Sequence, residues 1–158
     1  SIEIDCCINH GSLAIMALDR NKKRFHRRKG LRLGSAEIYQ AVEGLDDVLD
    51  SLVVDLEFLG RDSFMPLFVV PAVGVPFDDA LKDKINQAIR TGVSARFIPN
   101  EIVLVAEIPR TLSGKKLEVP VKKLLLGGDP ATVVNRDSMA NPASFDFYIA
   151  YANARASA

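Results

Sequence analysis

The sequence predicts a small α+β domain in which helices pack on a three-stranded sheet. Three observations indicate this class. The 158 residues are 48% hydrophobic and 25% charged, which is typical of one globular domain. Apolar residues recur at a helical spacing in some segments and form short unbroken runs in others. The predicted elements follow each other in the order helix, strand, strand, helix, strand, helix, which favours a single sheet covered by helices.

We expect a short β-hairpin before this core and a C-terminal tail after it. Residues 2–18 alternate weakly between apolar and polar types around the turn signal NHGS. Residues 20–29 are almost wholly basic and have no apolar period, which favours an exposed linker. The chain therefore divides into three parts: a degenerate hairpin with a basic hinge linker over 1–29, the main domain over 30–128, and a C-terminal extension over 129–158.

Three helices are predicted in the main domain. The first opens at Ser35, whose hydroxyl can cap it. The second follows Asp78, a good N-cap, and stops at Gly92. The third spans 121–126 after Pro120, which suits a first helical turn. The inward faces of the first two helices are apolar residues at helical spacing: Ile38, Val42 and Leu45 in the first, and Leu81, Ile85, Ala88 and Ile89 in the second.

Three strands and one polar loop complete the main domain. Residues 51–56 and 67–71 form apolar runs separated by a turn signal at 60–62. Residues 101–108 form the third predicted strand. The loop at 111–116 then connects this strand to the last helix. It combines threonine, serine, glycine and two lysines.

Charge, cysteine content and hydropathy exclude several classes of protein. The net charge is zero, so no overall field draws the chain to nucleic acid or to a membrane. Its two cysteines, Cys6 and Cys7, are adjacent and can form neither a disulfide framework nor a zinc site. The apolar run at 65–75 is too short to span a bilayer, and no signal peptide opens the chain. We expect a cytoplasmic protein without bound metal, and the opening SIEID suggests a piece of something longer.

The strongest candidate for chemistry is Lys115, which follows Ser113 and Gly114 in the polar loop. Glycine lets the backbone turn tightly, and the lysine can direct its ammonium at a phosphate or a carboxylate. The loop is not a Walker A motif, because no glycine precedes Gly114 at the required spacing and no Ser or Thr follows the lysine. On this signal alone, a solvated surface lysine is the favoured interpretation.

The wider sequence resembles the adenylate-forming superfamily, which includes the acyl-CoA synthetases. Residues 108–115, IPRTLSGK, resemble its signature P-(K/R)-T-x-(S/T)-G-K. Residues 30–39, GLRLGSAEIY, resemble G-x-R-(I/L/M)-(G/S)-x-x-E-I, and residues 94–99, SARFIP, resemble S-x-R-x-(V/I)-P. The particular residues at 34–39 and 114–123 are similar to those of the acetoacetyl-CoA synthetase branch.

This resemblance implies that the chain is the C-terminal lid domain of an acid–thiol ligase. Such an enzyme uses ATP and Mg²⁺ to convert an acid into an acyl-adenylate and then passes the acyl group to CoA. The branch suggests a short-chain acid, acetoacetate, and a place in lipid metabolism. A large N-terminal adenylation domain, in the same chain or separate, would be the partner. We expect this chain to be inactive alone and to hold none of these cofactors by itself.

The resemblance also implies a role for the polar loop in the first half-reaction. Lys115 would bridge the acyl carboxylate and the α-phosphate, where negative charge builds up during the attack. Ser113 and Gly114 would shape the loop that presents it. Modification of Lys115 by acetylation would remove the charge that this step needs.

In the second half-reaction the lid would rotate and present a different segment. The resemblance implies that Arg32 and Gly34 line the path of pantetheine, and that Arg90 or Arg96 meets the phosphates of CoA. Arg32 could instead be a plain surface residue, and Arg96 could anchor its loop through carbonyl groups. The hinge between the two poses would fall at Asp19, although the glycine usual in that turn is missing.

Two other functions stay open. Six of the eight residues at 22–29 are Lys or Arg. This run could contact the phosphates of RNA, DNA or CoA without sequence preference, although a nucleic-acid partner is not favoured. The exposed face of the domain could also dock another protein without any catalysis.

Overall fold

The computed structural model describes residues 25–28, 31–57 and 63–157. They form the α+β fold that the sequence predicts: a hairpin, a three-stranded sheet and helices packed on it. The hairpin predicted over 2–18 and the turn predicted at 60–62 lie outside the described residues. No helix in the described ranges is long and apolar enough to cross a membrane.

A hairpin opens the described fold. Strand β1 (Phe25–Arg28) pairs antiparallel with strand β2 (Leu31–Gly34), so that Phe25 lies opposite Gly34. The prediction of an exposed linker over 20–29 is therefore wrong for 25–28. The prediction used the absence of an apolar period, which reports only on side-chain burial. The hydrogen bonds that pair two strands are made by the main chain, so a strand can form without such a period.

The described residues form five α-helices: α1 (Ser35–Glu43), α2 (Asp79–Gly92), α3 (Glu118–Leu125), α4 (Pro130–Val133) and α5 (Phe145–Ala156). The carboxylate of Asp78 caps α2 as predicted, since it accepts a hydrogen bond of 2.9 Å from the amide of Leu81. The predicted cap of α1 is wrong. Gly34 occupies its N-cap position without a side-chain bond, and the hydroxyl of Ser35 donates instead to Glu118.

The main sheet has the order β3 (Val48–Val53), β4 (Pro66–Pro71), β5 (Glu101–Leu104). Strands β3 and β4 are antiparallel, and β4 and β5 are parallel and joined through α2. The third strand is shorter than the predicted 101–108. Its ladder with β4 runs from Glu101, opposite Pro66, to Leu104, opposite Val69, and residues 105–108 lie outside the strand.

Helices cover both faces of this sheet. Successive residues of a strand point to opposite faces, so Leu67 and Val69 pack against α1 and α2, whereas Phe68 packs against α3 and α5. Both faces are therefore apolar, and each has its own cluster of buried side chains.

Helix α5 completes the second face. Phe145 and Tyr148 are fully buried, and the rings of Tyr148 and Phe68 meet edge to face at 4.8 Å between centroids. The Tyr148 hydroxyl donates a hydrogen bond of 3.3 Å to the carbonyl of Glu107. The last helix therefore forms part of the core that carries the polar loop.

Candidate functional site

The loop at 111–116 is a tight turn that presents Lys115. The amide of Gly114 donates to the carbonyl of Thr111 at 2.8 Å, and Gly114 has a φ of +84°, a region that glycine favours. The amide of Lys115 donates to Thr111 Oγ1 at 3.0 Å, and its carbonyl accepts from the Thr111 amide at 2.9 Å. The Ser113 hydroxyl lies 2.9 Å from that of Thr111. The backbone of Lys115 is thus fixed on both sides.

The two neighbouring lysines of the loop differ in their surroundings. Lys115 is exposed, and no hydrogen bond or ion pair of its ammonium occurs within the described part of the chain. The Lys116 side chain is only 13% exposed. Its ammonium contacts four residues of α1 and β3: Tyr39, Glu43, Asp50 and Ser51. It lies 3.7 Å from the centroid of the Tyr39 ring and 2.7 Å from the carbonyl oxygen of Ser51.

Arg110 anchors the start of the same loop. Its Nη1 donates to the Gly114 carbonyl at 2.9 Å, and its Nη2 donates to Asp50 Oδ2 at 2.6 Å. Burial alone would raise the pKa of Asp50. The Arg110 hydrogen bond and the Lys116 charge outweigh burial, so the pKa lies below its usual value. Asp50 is therefore a carboxylate at neutral pH.

A second polar network connects α1 to α3. The Tyr39 hydroxyl donates to Glu118 Oε1 at 2.8 Å and accepts from the amide of Val53 at 3.2 Å. The Ser35 hydroxyl donates to Glu118 Oε2 at 3.4 Å. Burial, and then the Glu118 charge, raise the pKa of Tyr39 well above its usual range. The network links the segment that begins α1 to the helix that follows the polar loop.

The residues predicted for the second half-reaction lie on three different parts of the fold: the start of α1 with the strand before it, the end of α2, and the 3₁₀ turn after α2. Gly34 stands at the start of α1, where a Cβ would lie 2.7 Å from the carboxylate of Glu37. Arg90 is exposed in the last turn of α2, and Arg96 is exposed in a short 3₁₀ turn. The backbone of Arg32 lies in β2.

Gly34, Arg90 and Arg96 are not joined to Lys115 by any hydrogen bond or ion pair within the described part of the chain. The amide of Arg96 donates to Ser94 Oγ at 3.3 Å, so the Ser94 side chain caps the 3₁₀ turn that carries Arg96. The predicted hinge residue, Asp19, lies outside the described residues. The roles of Arg32, Arg90, Arg96 and Asp19 stay predictions.

Sequence reasoning missed Asp50, Tyr39 and Glu118. Their partners lie far away along the chain, with 60 residues between Asp50 and Arg110 and 79 between Tyr39 and Glu118. One signal was available for Asp50, since it is the one charged residue of strand β3. Asp50 also explains the difference at the start of this strand. A charged residue interrupts the apolar run, so the sequence predicts a start at residue 51, whereas β3 begins at Val48.

Comparison with known proteins gives one consistent group of relatives. No protein-family model matches the chain. The acetoacetyl-CoA synthetase of Mus musculus is 39% identical over 143 residues, which are 90% of this chain and 21% of that protein. The acetoacetyl-coenzyme A synthetase of Rhizobium meliloti (strain 1021) is 40% identical over 119 residues, 75% of this chain and 18% of that protein.

A solved structure supports the same relationship. The acetoacetyl-CoA synthetase from Streptomyces lividans superposes with a TM-score of 0.74 at 44% identity, over 81% of this chain and 19% of that one. The chain thus spans about a fifth of the length of its relatives.

The fold, the loop and these similarities identify the chain as a domain of an adenylate-forming acyl-CoA synthetase. They agree with the C-terminal position that the motifs at 30–39 and 108–115 predict. Within that class, the particular relatives are acetoacetyl-CoA synthetases, which confirms the branch that the sequence motifs indicated.

Proposed function

We propose that this chain is the lid of an acid–thiol ligase and that Lys115 completes its site for acyl-adenylate formation. The observation that carries the proposal is the contrast between two adjacent lysines. Lys116 is held by carboxylates and a carbonyl, whereas Lys115 extends from a fixed turn into solvent. A point charge on a long stem suits the negative charge that develops between the carboxylate and the α-phosphate.

The complete enzyme would use ATP, Mg²⁺ and CoA, and the names of the relatives favour acetoacetate as its acid. We place the reaction in the lipid metabolism of the cytoplasm, as the sequence resemblance implies. Within 25–28, 31–57 and 63–157, no group of three or more His, Cys, Asp or Glu side chains is placed to hold a metal ion. As the sequence resemblance implies, we assign Mg²⁺ and the nucleotide to the N-terminal adenylation domain, which would be the partner of this one.

The second half-reaction would use the segment that starts α1. Gly34 and Arg32 would line the pantetheine path. Arg90 or Arg96 would meet the CoA phosphates, and both are exposed cations, one in the last turn of α2 and the other in the 3₁₀ turn that follows it. Movement between the two poses would depend on a hinge at or near Asp19.

A chimeric enzyme tests the proposal. This chain would replace the corresponding domain of the Streptomyces lividans synthetase, and acetoacetyl-CoA formation would be compared with that of the same enzyme lacking the domain. We expect the chimera to restore thioester formation. Lys115→Ala should lower the rate of adenylate formation roughly 100-fold, because the charge that meets the phosphate is lost.

Lys123→Ala is the matched control, since Lys123 is an exposed lysine of α3 outside the loop. It should leave both half-reactions unchanged within about twofold. Equal activity of the Lys115→Ala and Lys123→Ala chimeras would contradict the role of Lys115. A folded chimera without thioester formation would contradict the lid function.

A further inference from the structure

We propose that Asp50 is a positioning residue that holds Lys115 in its working orientation, acting through the basic residues at the two ends of the loop. These residues are Arg110 and Lys116. The inference rests on the proposed function of Lys115 and adds a support, on strand β3, that the loop motif does not contain.

The first connection runs through Arg110. The carbonyl that accepts its Nη1 bond belongs to Gly114, so it lies in the peptide group that leads directly into Lys115. The second guanidinium nitrogen is bound to Asp50 Oδ2 at 2.6 Å. Because a guanidinium is planar and rigid, fixing one end of it on Asp50 fixes the direction of the other. The peptide plane before Lys115 is thereby tied to β3.

The second connection runs through Lys116. Its ammonium lies 3.2 Å from Asp50 Oδ1, the carboxylate oxygen that Arg110 does not use. The backbones of Arg110 and Lys116 also face each other across an isolated β-bridge. Asp50 therefore contacts both ends of the loop, one oxygen to each, and Lys115 lies between two anchored neighbours.

The surroundings make this carboxylate hard to replace. The side chains of Asp50, Arg110 and Lys116 are 20%, 34% and 13% exposed, so water can only partly substitute for a lost partner. Glu43 pairs with Lys116 but not with Arg110 among the described ion pairs. Removing the charge of Asp50 would take from Arg110 its ion-pair partner on β3 and would leave Lys116 paired with Glu43 alone, and the loop would relax away from β3.

The test compares Asp50→Asn with Asp47→Asn in the chimera. Asp47 is a matched control because it also forms an ion pair, with Lys84, and no described contact of its side chain reaches the loop. Adenylate formation is measured as pyrophosphate release without CoA. Thioester formation is measured separately, from supplied acetoacetyl-adenylate and CoA.

We expect Asp50→Asn to lower kcat of adenylate formation by about 10- to 100-fold, because a small displacement of a catalytic group costs this much. KM for ATP and the second half-reaction should stay within about twofold of the parent values. Asp47→Asn should change neither half-reaction. Equal losses in both half-reactions, or no loss in the first, would overturn the proposal.

Amide hydrogen exchange on the 158-residue chain provides a readout that does not require activity. We expect Asp50→Asn to increase the exchange rates of the Gly114 and Lys115 amides about tenfold while the amides of β4 keep their protection. Unchanged exchange would show that Asp50 does not hold the loop. Faster exchange with undiminished adenylate formation would overturn its link to catalysis. An inactive parent chimera would count against the lid function alone, because the exchange result would still decide the role of Asp50.

Discussion

Tyr39 and Glu118 are joined by a hydrogen bond of 2.8 Å, although α1 and α3 lie at opposite ends of the main domain in sequence. The same carboxylate accepts from Ser35, the first residue of α1. The segment proposed for CoA and the loop proposed for adenylate formation are thus fixed to each other. In the proposed change of pose, we expect them to move together as a rigid body.

We predict that Tyr39→Phe lowers the free energy of unfolding by about 1–2 kcal/mol, because it removes the hydrogen bonds that the Tyr39 hydroxyl makes to Glu118 and to the Val53 amide. The ring beneath Lys116 is kept. Urea denaturation measures the change. Tyr151→Phe is the control, since its hydroxyl also binds a glutamate, Glu101, but at an exposed position. It should cost no more than about 0.5 kcal/mol, and equal costs would contradict the importance of the network.

The stability of the domain should depend on pH through Asp50. Its pKa in the folded chain lies below the ordinary value of 3.8, so its ionised form stabilises the fold above that value. This contribution is lost as pH falls through the folded pKa. The difference in unfolding free energy between the parent and Asp50→Asn should therefore be largest near neutral pH and shrink below about pH 4. If the difference in unfolding free energy between the two proteins grew as the pH fell, the pKa of Asp50 would have to be raised by folding and not lowered.

Comparing Gly114→Ala with Gly74→Ala should separate the effect of backbone strain on stability from the effect of loop geometry on adenylate formation. Gly114 has a φ of +84° with open space around its Cβ position, and Gly74, in a distant turn, has a φ of +81° with equally open space. Either alanine variant should lose about 1 kcal/mol of stability from backbone strain. Only Gly114→Ala should slow adenylate formation in the chimera. A similar loss in Gly74→Ala would mean that general destabilisation, and not loop geometry, lowers the activity.

Helix α5 should prove to be part of the folded core. Phe145 is fully buried and Phe147, two residues later on the same helix, is 41% exposed. We predict that Phe145→Ala lowers the unfolding free energy by about 3–5 kcal/mol, through lost burial and the cavity left behind. Phe147→Ala should cost less than about 1 kcal/mol. Thermal or urea unfolding of the two variants measures the contrast, and similar costs would place α5 outside the core.

The parts of the fold that could be predicted are those whose signal is local. The cap at Asp78 and the apolar spacing after it define α2 within a few residues, and the motif around Gly114 defines the polar loop. Strand β1 could not be predicted, since its pairing is made by the backbone and its side chains carry no apolar period.

The candidate site also has a part that could be predicted from local signals and a part that could not. Lys115 could be singled out as a candidate because the motif surrounds it, whereas the contacts of Asp50 with Arg110 and Lys116 are made only after the sheet has formed. The end of β5 was misplaced for a related reason. Val105 and Ile108 are apolar because they pack in the core, and apolar character alone does not distinguish that from strand pairing.

The contrast between a tethered and an untethered lysine has a consequence for protein engineering. The two side chains are chemically identical, so their different behaviour comes from the scaffold beneath them. A designer who grafted residues 110–116 onto another protein without an acidic residue at the position of Asp50 would transfer a Lys116 that lacks this partner and is no longer distinguished from Lys115. The transferable unit is therefore the loop together with its strand, and the same rule would guide any attempt to recombine such domains between enzymes.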